Sequence, residues 1–309
     1  MQRAIDGGET AGAQERRRET KGLALGFIGM VIFGLTLPMM RIALEGLDAY
    51  FVGLGRAVLA AAVAAVFLAV TRQPFPPRQT WARLAVISLG IIFGFPLLAT
   101  LAMKYVPSAH GGVVLAVLPL ATAMAGAAMA GERPSAGFWL AGIAGSAAVM
   151  VFGMIEAGGD VAAVGWGDLL LIASVACAAI GYAQSGVLAR QIGGWQVVSW
   201  ALVLSCPAVA LVTWLLAEPI NWDAPWESWA AYVYLAVMSQ YFGFFFWNRG
   251  MVLAGVAKTG QLQLIQPFVT LAASALLLGE SVGWRHLVFA TIVVGLVALG
   301  GRMRVARRA

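Results

Sequence analysis

The chain has 309 residues, of which 61% are hydrophobic and only 11% charged, with a formal net charge of +6 and a mean hydropathy of +0.85. A soluble protein of this size needs about a quarter of its residues charged to cover its surface, so the composition excludes a soluble enzyme and predicts an all-α polytopic membrane protein. The isoelectric point of 9.7 invites a nucleic-acid reading, which the placement of the basic residues along the chain excludes.

Residues 1–21 read as a polar tail in which Arg3, Arg16, Arg17, Arg18 and Lys21 mix with acids. No cleavable apolar core with a small-residue site is visible there, so the first span is expected to direct insertion itself. Apolar runs then fall at 22–40, 49–70, 81–103, 107–130, 137–155, 166–189, 195–217, 228–250, 255–278 and 283–301. A membrane helix needs about 20 apolar residues, and runs of this length are too long for barrel strands. The expectation is ten transmembrane helices, here span one to span ten, followed by a basic tail at 302–309. Between the runs lie turn signals: Gln73-Pro74-Phe75-Pro76-Pro77, Gly131-Glu132-Arg133-Pro134, Gly158-Gly159, Gly193-Gly194 and Glu218-Pro219. Trp81, Trp166, Trp195, Trp229 and Trp284 stand at or near span starts, where an interfacial aromatic belt belongs.

With the N-terminus inside, the inner segments carry the tail residues, Arg72, Arg78, Arg83, Arg133, Arg190, Arg249, Lys258, Arg302, Arg304, Arg307 and Arg308. The outer segments keep only Arg41, Lys104 and Arg285, and their loops are acidic: Glu156, Asp160, Glu218, Asp223 and Glu227. Such asymmetry predicts both termini in the cytoplasm of a cell inner membrane. It also makes the basic excess a topology signal and a membrane-surface tail. The expected partners are a small-molecule substrate, the lipid bilayer and, as a candidate, a second copy in a homodimer, with no nucleic acid. No cofactor is expected. Cys177 and Cys206 both sit inside apolar runs, which argues against a disulfide framework and against a metal site.

Displaced by 148 residues, the chain matches itself: Gly112 falls on Gly260, Pro119 on Pro267, Gly131-Glu132 on Gly279-Glu280, and Thr36 on Gln184. Two halves of five spans follow, 22–155 and 166–301. Because five is odd, the second half must sit inverted, the signature of alternating-access carriers. On Phe33-Gly34-Leu35-Thr36-Leu37-Pro38, Arg56, Ala109 to Pro119, Gly131-Glu132-Arg133-Pro134-Ser135, Gly255 to Pro267 and Gly279-Glu280-Ser281, the chain resembles the drug/metabolite transporter superfamily in its EamA branch. That resemblance covers about residues 22–301. It implies ten helices, two EamA repeats and export of small metabolites. One departure is Phe33, where the family often has Trp.

The candidate site residues follow from polarity at membrane depth. Pro119 and Pro267 are expected in mid-helix, kinking spans four and nine and freeing the carbonyls of Leu115 and Gln263 toward a central site; simple kinking for packing is the competing reading. Span nine carries a polar stripe, Thr259, Gln263, Gln266, Thr270 and Ser274, at helical spacing. The matching positions of span four are mostly small or apolar. The glutamines and Thr270 are expected to bond substrate, against the alternative of glue between helices. Span eight offers Gln240, Phe244, Trp247 and Asn248 on one face, suited to an amphipathic solute or to a packed aromatic seam. Tyr182, Gln184 and Thr36 are weaker candidates. Arg56, about 10 Å below the outer surface at 1.5 Å per residue, either holds a substrate carboxylate or snorkels toward Glu45 or Asp48. Glu132 and Glu280 are expected to cap the helix that follows each. Small-residue pairs such as Gly22 with Gly26 are expected to allow close helix approach.

The leading functional expectation is a solute carrier for small amphipathic metabolites, amino acids or relatives, moved outward. A membrane-embedded enzyme is disfavoured: only His110 and His286 exist, and no catalytic motif stands in the chain. A non-transporting scaffold is disfavoured by the paired midplane prolines and short tails. No carboxylate is expected at membrane depth, which points to facilitated efflux or exchange over tight proton coupling.

Overall fold

A computed structural model describes residues 2–102, 105, 114–115, 117–156, 165–278, 283–303 and 305–307. The chain is an all-α polytopic membrane protein. Among the described residues six stretches are long and apolar enough to cross a bilayer: Gln14–Leu44, Phe51–Val70, Arg78–Ala102, Ala136–Ile155, Trp166–Ile192 and Gly194–Leu216. The pair Val256–Leu264 and Gln266–Leu277, bent by 41°, makes a seventh. On the other three expected spans the helix is shorter or more polar: Leu118–Met129, Leu287–Arg302, and a stretch built from Trp226–Tyr234, Leu235–Phe242 and Gly243–Ala254. Residues of the expected tail are helical, in one helix with span one that runs from Gln2 to Gly34. Good helix formers such as Gln14, Glu15 and Arg16 to Arg18 extend it.

The packing exchanges the two halves. Span one lies against span eight, and its counterpart span six against span three. Span two pairs with span seven, span four with span nine and span five with span ten. Span one also touches span nine, as span six touches span four. Each of these contacts therefore reappears when the repeats are swapped, and all cross from one repeat to the other. Glycine makes the closest crossings: a Cβ on Gly250 would meet the Gly26 Cα at 2.9 Å, and one on Gly181 would meet the Gly90 backbone carbonyl carbon at 3.5 Å. Such approach is how apolar helices gain packing energy where the hydrophobic effect between them is weak.

Two local distortions obey the same repeat. Ser88–Gly94 and Leu235–Phe242 are π-helical, and displacement by 148 carries the first onto 236–242. A π turn widens the helix and re-aims side chains, and such turns concentrate at functional sites. The second distortion corrects the expectation for the prolines. Neither lies inside a continuous helix. Pro119 stands in the first turn of Leu118–Met129. Pro267 stands in the first turn of Gln266–Leu278, after a short Val256–Gln261 helix and a 3₁₀ turn at Leu262–Leu264. The first turn has no donor to lose, so proline is accommodated there, and each span is broken just before its proline.

The chain ends gather on one face. The strand β1, Glu132–Pro134, pairs antiparallel with β2, Val305–Arg307, and Lys258 of span nine forms an ion pair with Glu19. We call this the terminal face.

Candidate functional site

The packing leaves a cavity of about 180 Å³ at the meeting of the two repeats. Span one supplies Phe33, Thr36 and Met40, span two Arg56, span three Phe95 and Thr100, span six Tyr182, span eight Ser239, Gln240 and Phe244, and span nine Gln263 and Gln266. A second cavity of about 190 Å³, lined by Pro119, Pro267 and Thr270, shares Phe95, Leu115, Leu118, Gln263 and Gln266 with the first. Together they reach the lower end of the ~300–1,000 Å³ range of small-molecule sites. The broken helices deliver this geometry: the prolines and the glutamines of span nine sit at the break, at the wall of the space. The π turn of span eight likewise presents Ser239 and Gln240.

One wall is aromatic. The Phe33 ring lies 5.0 Å from Phe244 and 5.8 Å from Trp247, and Tyr182 lies 5.7 Å from Trp247 and 6.1 Å from Phe244. The opposite chemistry is polar. The Thr36 and Ser239 hydroxyls bond each other at 2.8 Å, and Thr122 donates weakly to Gln263 Oε1 at 3.4 Å. Arg56 is 5% exposed, and its Nε and Nη1 have no hydrogen-bond partner; neither has Gln240 Nε2. Burying such a charge without a partner is costly. Asp48 is not its partner, because Asp48 Oδ1 accepts the backbone N–H groups of Tyr50 and Phe51 at 2.9 Å each and caps span two. The ionisable groups that feel the Arg56 charge are the phenols Tyr182 and Tyr232.

The structure sorts the expected site residues. Thr36, Arg56, Tyr182, Gln240, Gln263 and Gln266 line the central cavity. Thr270 lines the adjoining one and donates to the Gly34 carbonyl at 2.7 Å, so it ties span nine to span one. Trp247 and Asn248 are fully buried and line neither cavity: Trp247 backs the aromatic wall. Asn248 accepts from Ser185 and donates to the Gly194 carbonyl, both at 2.9 Å. It is glue between spans eight, six and seven, and the expectation that it faces substrate is corrected. Gln184, the repeat counterpart of Thr36, turns to Met129 instead. Ser239 and Thr100 were missed by the sequence reading; only their placement on spans whose π turns cannot be seen in sequence brings them to the cavity.

At the terminal face Glu132 does cap a helix, but not the one that follows it. Its carboxylate, 2% exposed, accepts the Val256 and Ala257 backbone N–H groups at 2.7 Å each, with Arg190 at 3.7 Å. It therefore caps span nine, from the other repeat. Gly255, at φ 102°, turns the chain into that cap, a conformation that glycine alone adopts freely. Glu280, His110 and the Ser274 and His286 side chains lie outside the described set. Among the described residues no group of His, Cys, Asp and Glu is placed to hold a metal ion.

A family model described as the EamA-like transporter family matches residues 20–154 and 165–300, the two halves of the repeat. Over 286 residues the chain is 38% identical to the uncharacterized transporter YdeK of Bacillus subtilis, covering 92% of this chain and 98% of that one. It is 29% identical over 205 residues to the aromatic amino acid exporter YddG of Ancylobacter novellus, covering 66% and 68% of the two chains. It is 28% identical over 287 residues to a probable terminal-alkyne amino-acid exporter of Streptantibioticus cattleyicolor, covering 90% and 93%. A solved crystal structure superposes with a TM-score of 0.78 at 22% identity, over 91% of this chain and 96% of that one, a likeness of fold.

Proposed function

The chain belongs to the EamA-like transporter family, and from that premise we propose that it exports small amphipathic metabolites, amino acids or related compounds, by alternating access around the cavity between its repeats. It is a membrane transporter and not an enzyme. The observation that carries the finer reading is the cavity itself: rings of Phe33, Tyr182 and Phe244 on one side, and Arg56 with the Gln240, Gln263 and Gln266 amides on the other. An apolar wall facing a few convergent polar groups is what an amphipathic solute requires. The exporter names of two relatives support the direction and the substrate class. Among the described residues no Asp or Glu lines either cavity, which favours facilitated efflux or exchange.

The test is counterflow in proteoliposomes across amino acids, nucleosides and cationic drugs. Accumulation of a labelled amphipathic solute is expected; covalent turnover without solute movement would sink the reading. We place both termini in the cytoplasm of the inner membrane. A reporter active only in the cytoplasm, fused after Arg308, is expected to be on, and a silent one would refute the orientation.

A further inference from the structure

We infer that the solute is bound as a net monoanion, a monocarboxylate carrying no compensating positive charge, with its carboxylate on the Arg56 guanidinium. The inference rests on reading the central cavity as the transport site and adds the charge of what fills it.

The buried polar atoms without a partner beside the cavity are donors. Arg56 offers Nε and Nη1, Gln240 offers Nε2, and behind the ring wall the Trp247 Nε1 is also without a partner. The Thr36 and Ser239 hydroxyls bond each other, and Gln263 Oε1 takes the Thr122 hydroxyl. Gln266 presents an amide of both polarities. Charge selects the ligand. The cavity holds one fixed positive charge and, among its described lining residues, no carboxylate. A monoanion neutralises it. A zwitterion would neutralise Arg56 but bring an ammonium group out of water with no anion to meet it, and a desolvated, unpaired ammonium is costly. A dianion would leave one negative charge uncompensated in the same way. The guanidinium fork matches the planar carboxylate bidentately, and the Phe33, Tyr182 and Phe244 rings accept an apolar or aromatic body opposite it. Amine-masked or amine-free relatives of amino acids fit this description better than the free amino acids.

The experiment is a charge series on one side chain, with the full chain in lipid nanodiscs at pH 7. Binding of N-acetyl-L-phenylalanine, L-phenylalanine and L-phenylalaninamide, with net charges of −1, 0 and +1, is measured by calorimetry, and counterflow of the first two is measured in proteoliposomes. N-acetyl-L-phenylalanine is expected to bind about tenfold or more tightly than L-phenylalanine, and L-phenylalaninamide weakest. In Arg56→Gln that order should collapse to within about twofold, whereas Arg56→Lys should keep the order at weaker affinity. Should Arg56→Gln fail to fold, the series on the unaltered protein still decides. Zwitterion binding as tight as, or tighter than, the anion overturns the inference; if the zwitterion is also transported, the reading of the cavity as a transport site survives. If no solute of any charge binds or moves, that reading fails and takes the inference with it.

Discussion

Glu132 at the terminal face and Arg56 in the central cavity are both buried charges in an apolar bundle, and the fold treats them in opposite ways. Glu132 receives two backbone N–H groups from span nine and stands beside Arg190. Arg56 has no hydrogen-bond partner on Nε or Nη1. Each charge costs free energy to desolvate, and only the first has that cost offset inside the protein. A buried charge with its partners in place is architecture, and here it fastens the first repeat to the broken helix of the second. The difference separates the terminal face, crossed by β1–β2 pairing and by Lys258 with Glu19, from the cavity at the meeting of the two repeats.

The largest expected effect tests the terminal face. Glu132→Ala removes the cap of span nine and should destabilise the protein by about 3–5 kcal/mol, because two hydrogen bonds to a charged group are lost at about 1.5–3 kcal/mol each. Thermal melting in detergent measures it, and an unchanged melt would mean that the contact is not holding the repeats. Arg56→Leu should act with the opposite sign. Replacing an unpaired buried charge by an apolar side chain should leave stability unchanged or raise it by about 1–4 kcal/mol, while transport per folded protein falls at least tenfold. A destabilised but transporting Arg56→Leu would merge the two charges into one structural class.

Asn248→Leu is expected to behave like Glu132 on a smaller scale. It leaves the Ser185 hydroxyl and Gly194 carbonyl without their partner, a loss of about 1–3 kcal/mol, with the substrate affinity of the folded fraction unchanged. A selective loss of affinity at full stability would return Asn248 to the site. The smallest effect separates the two glutamines of span nine. Gln266→Leu should cut initial transport about tenfold, equivalent to about 1.4 kcal/mol, with melting intact, because its amide has only the cavities to face. Gln263→Leu should lose a similar factor and in addition lower stability slightly, through the Thr122 contact. Equal melting and equal transport in both variants would make the amides packing groups.

Much of the architecture was legible in the chain. Composition alone excludes a soluble protein, and the apolar runs mark where helices lie. The recurrence of Pro and Gly-Glu at one displacement announces two equivalent halves before any contact between them is known. Polarity at membrane depth was nearly enough to find the cavity, because a polar side chain in an apolar run must meet either protein or a wet space; Arg56, Gln240, Gln263 and Gln266 stand out that way, and Thr36 and Tyr182 through the repeat. The same rule also selected Asn248 and Thr270, and it has no means of telling them apart from the others, since being bonded and being available look identical in sequence.

Only the tertiary structure decided that distinction. Spacing at 3.6 residues per turn places Gln240, Phe244, Trp247 and Asn248 on one face, but a π turn ends at Phe242, and the partners of Asn248 come from spans six and seven. The cap on span nine comes from a loop 124 residues earlier, which no local rule anticipates, because helix caps are read from neighbours in sequence. The sequence determined the spans, their repeat and which residues are too polar for lipid. The fold determined which of those residues meet each other and which meet the cavity, because satisfying a buried donor or acceptor is a matter of distance between helices, and that distance exists only once the two repeats have packed.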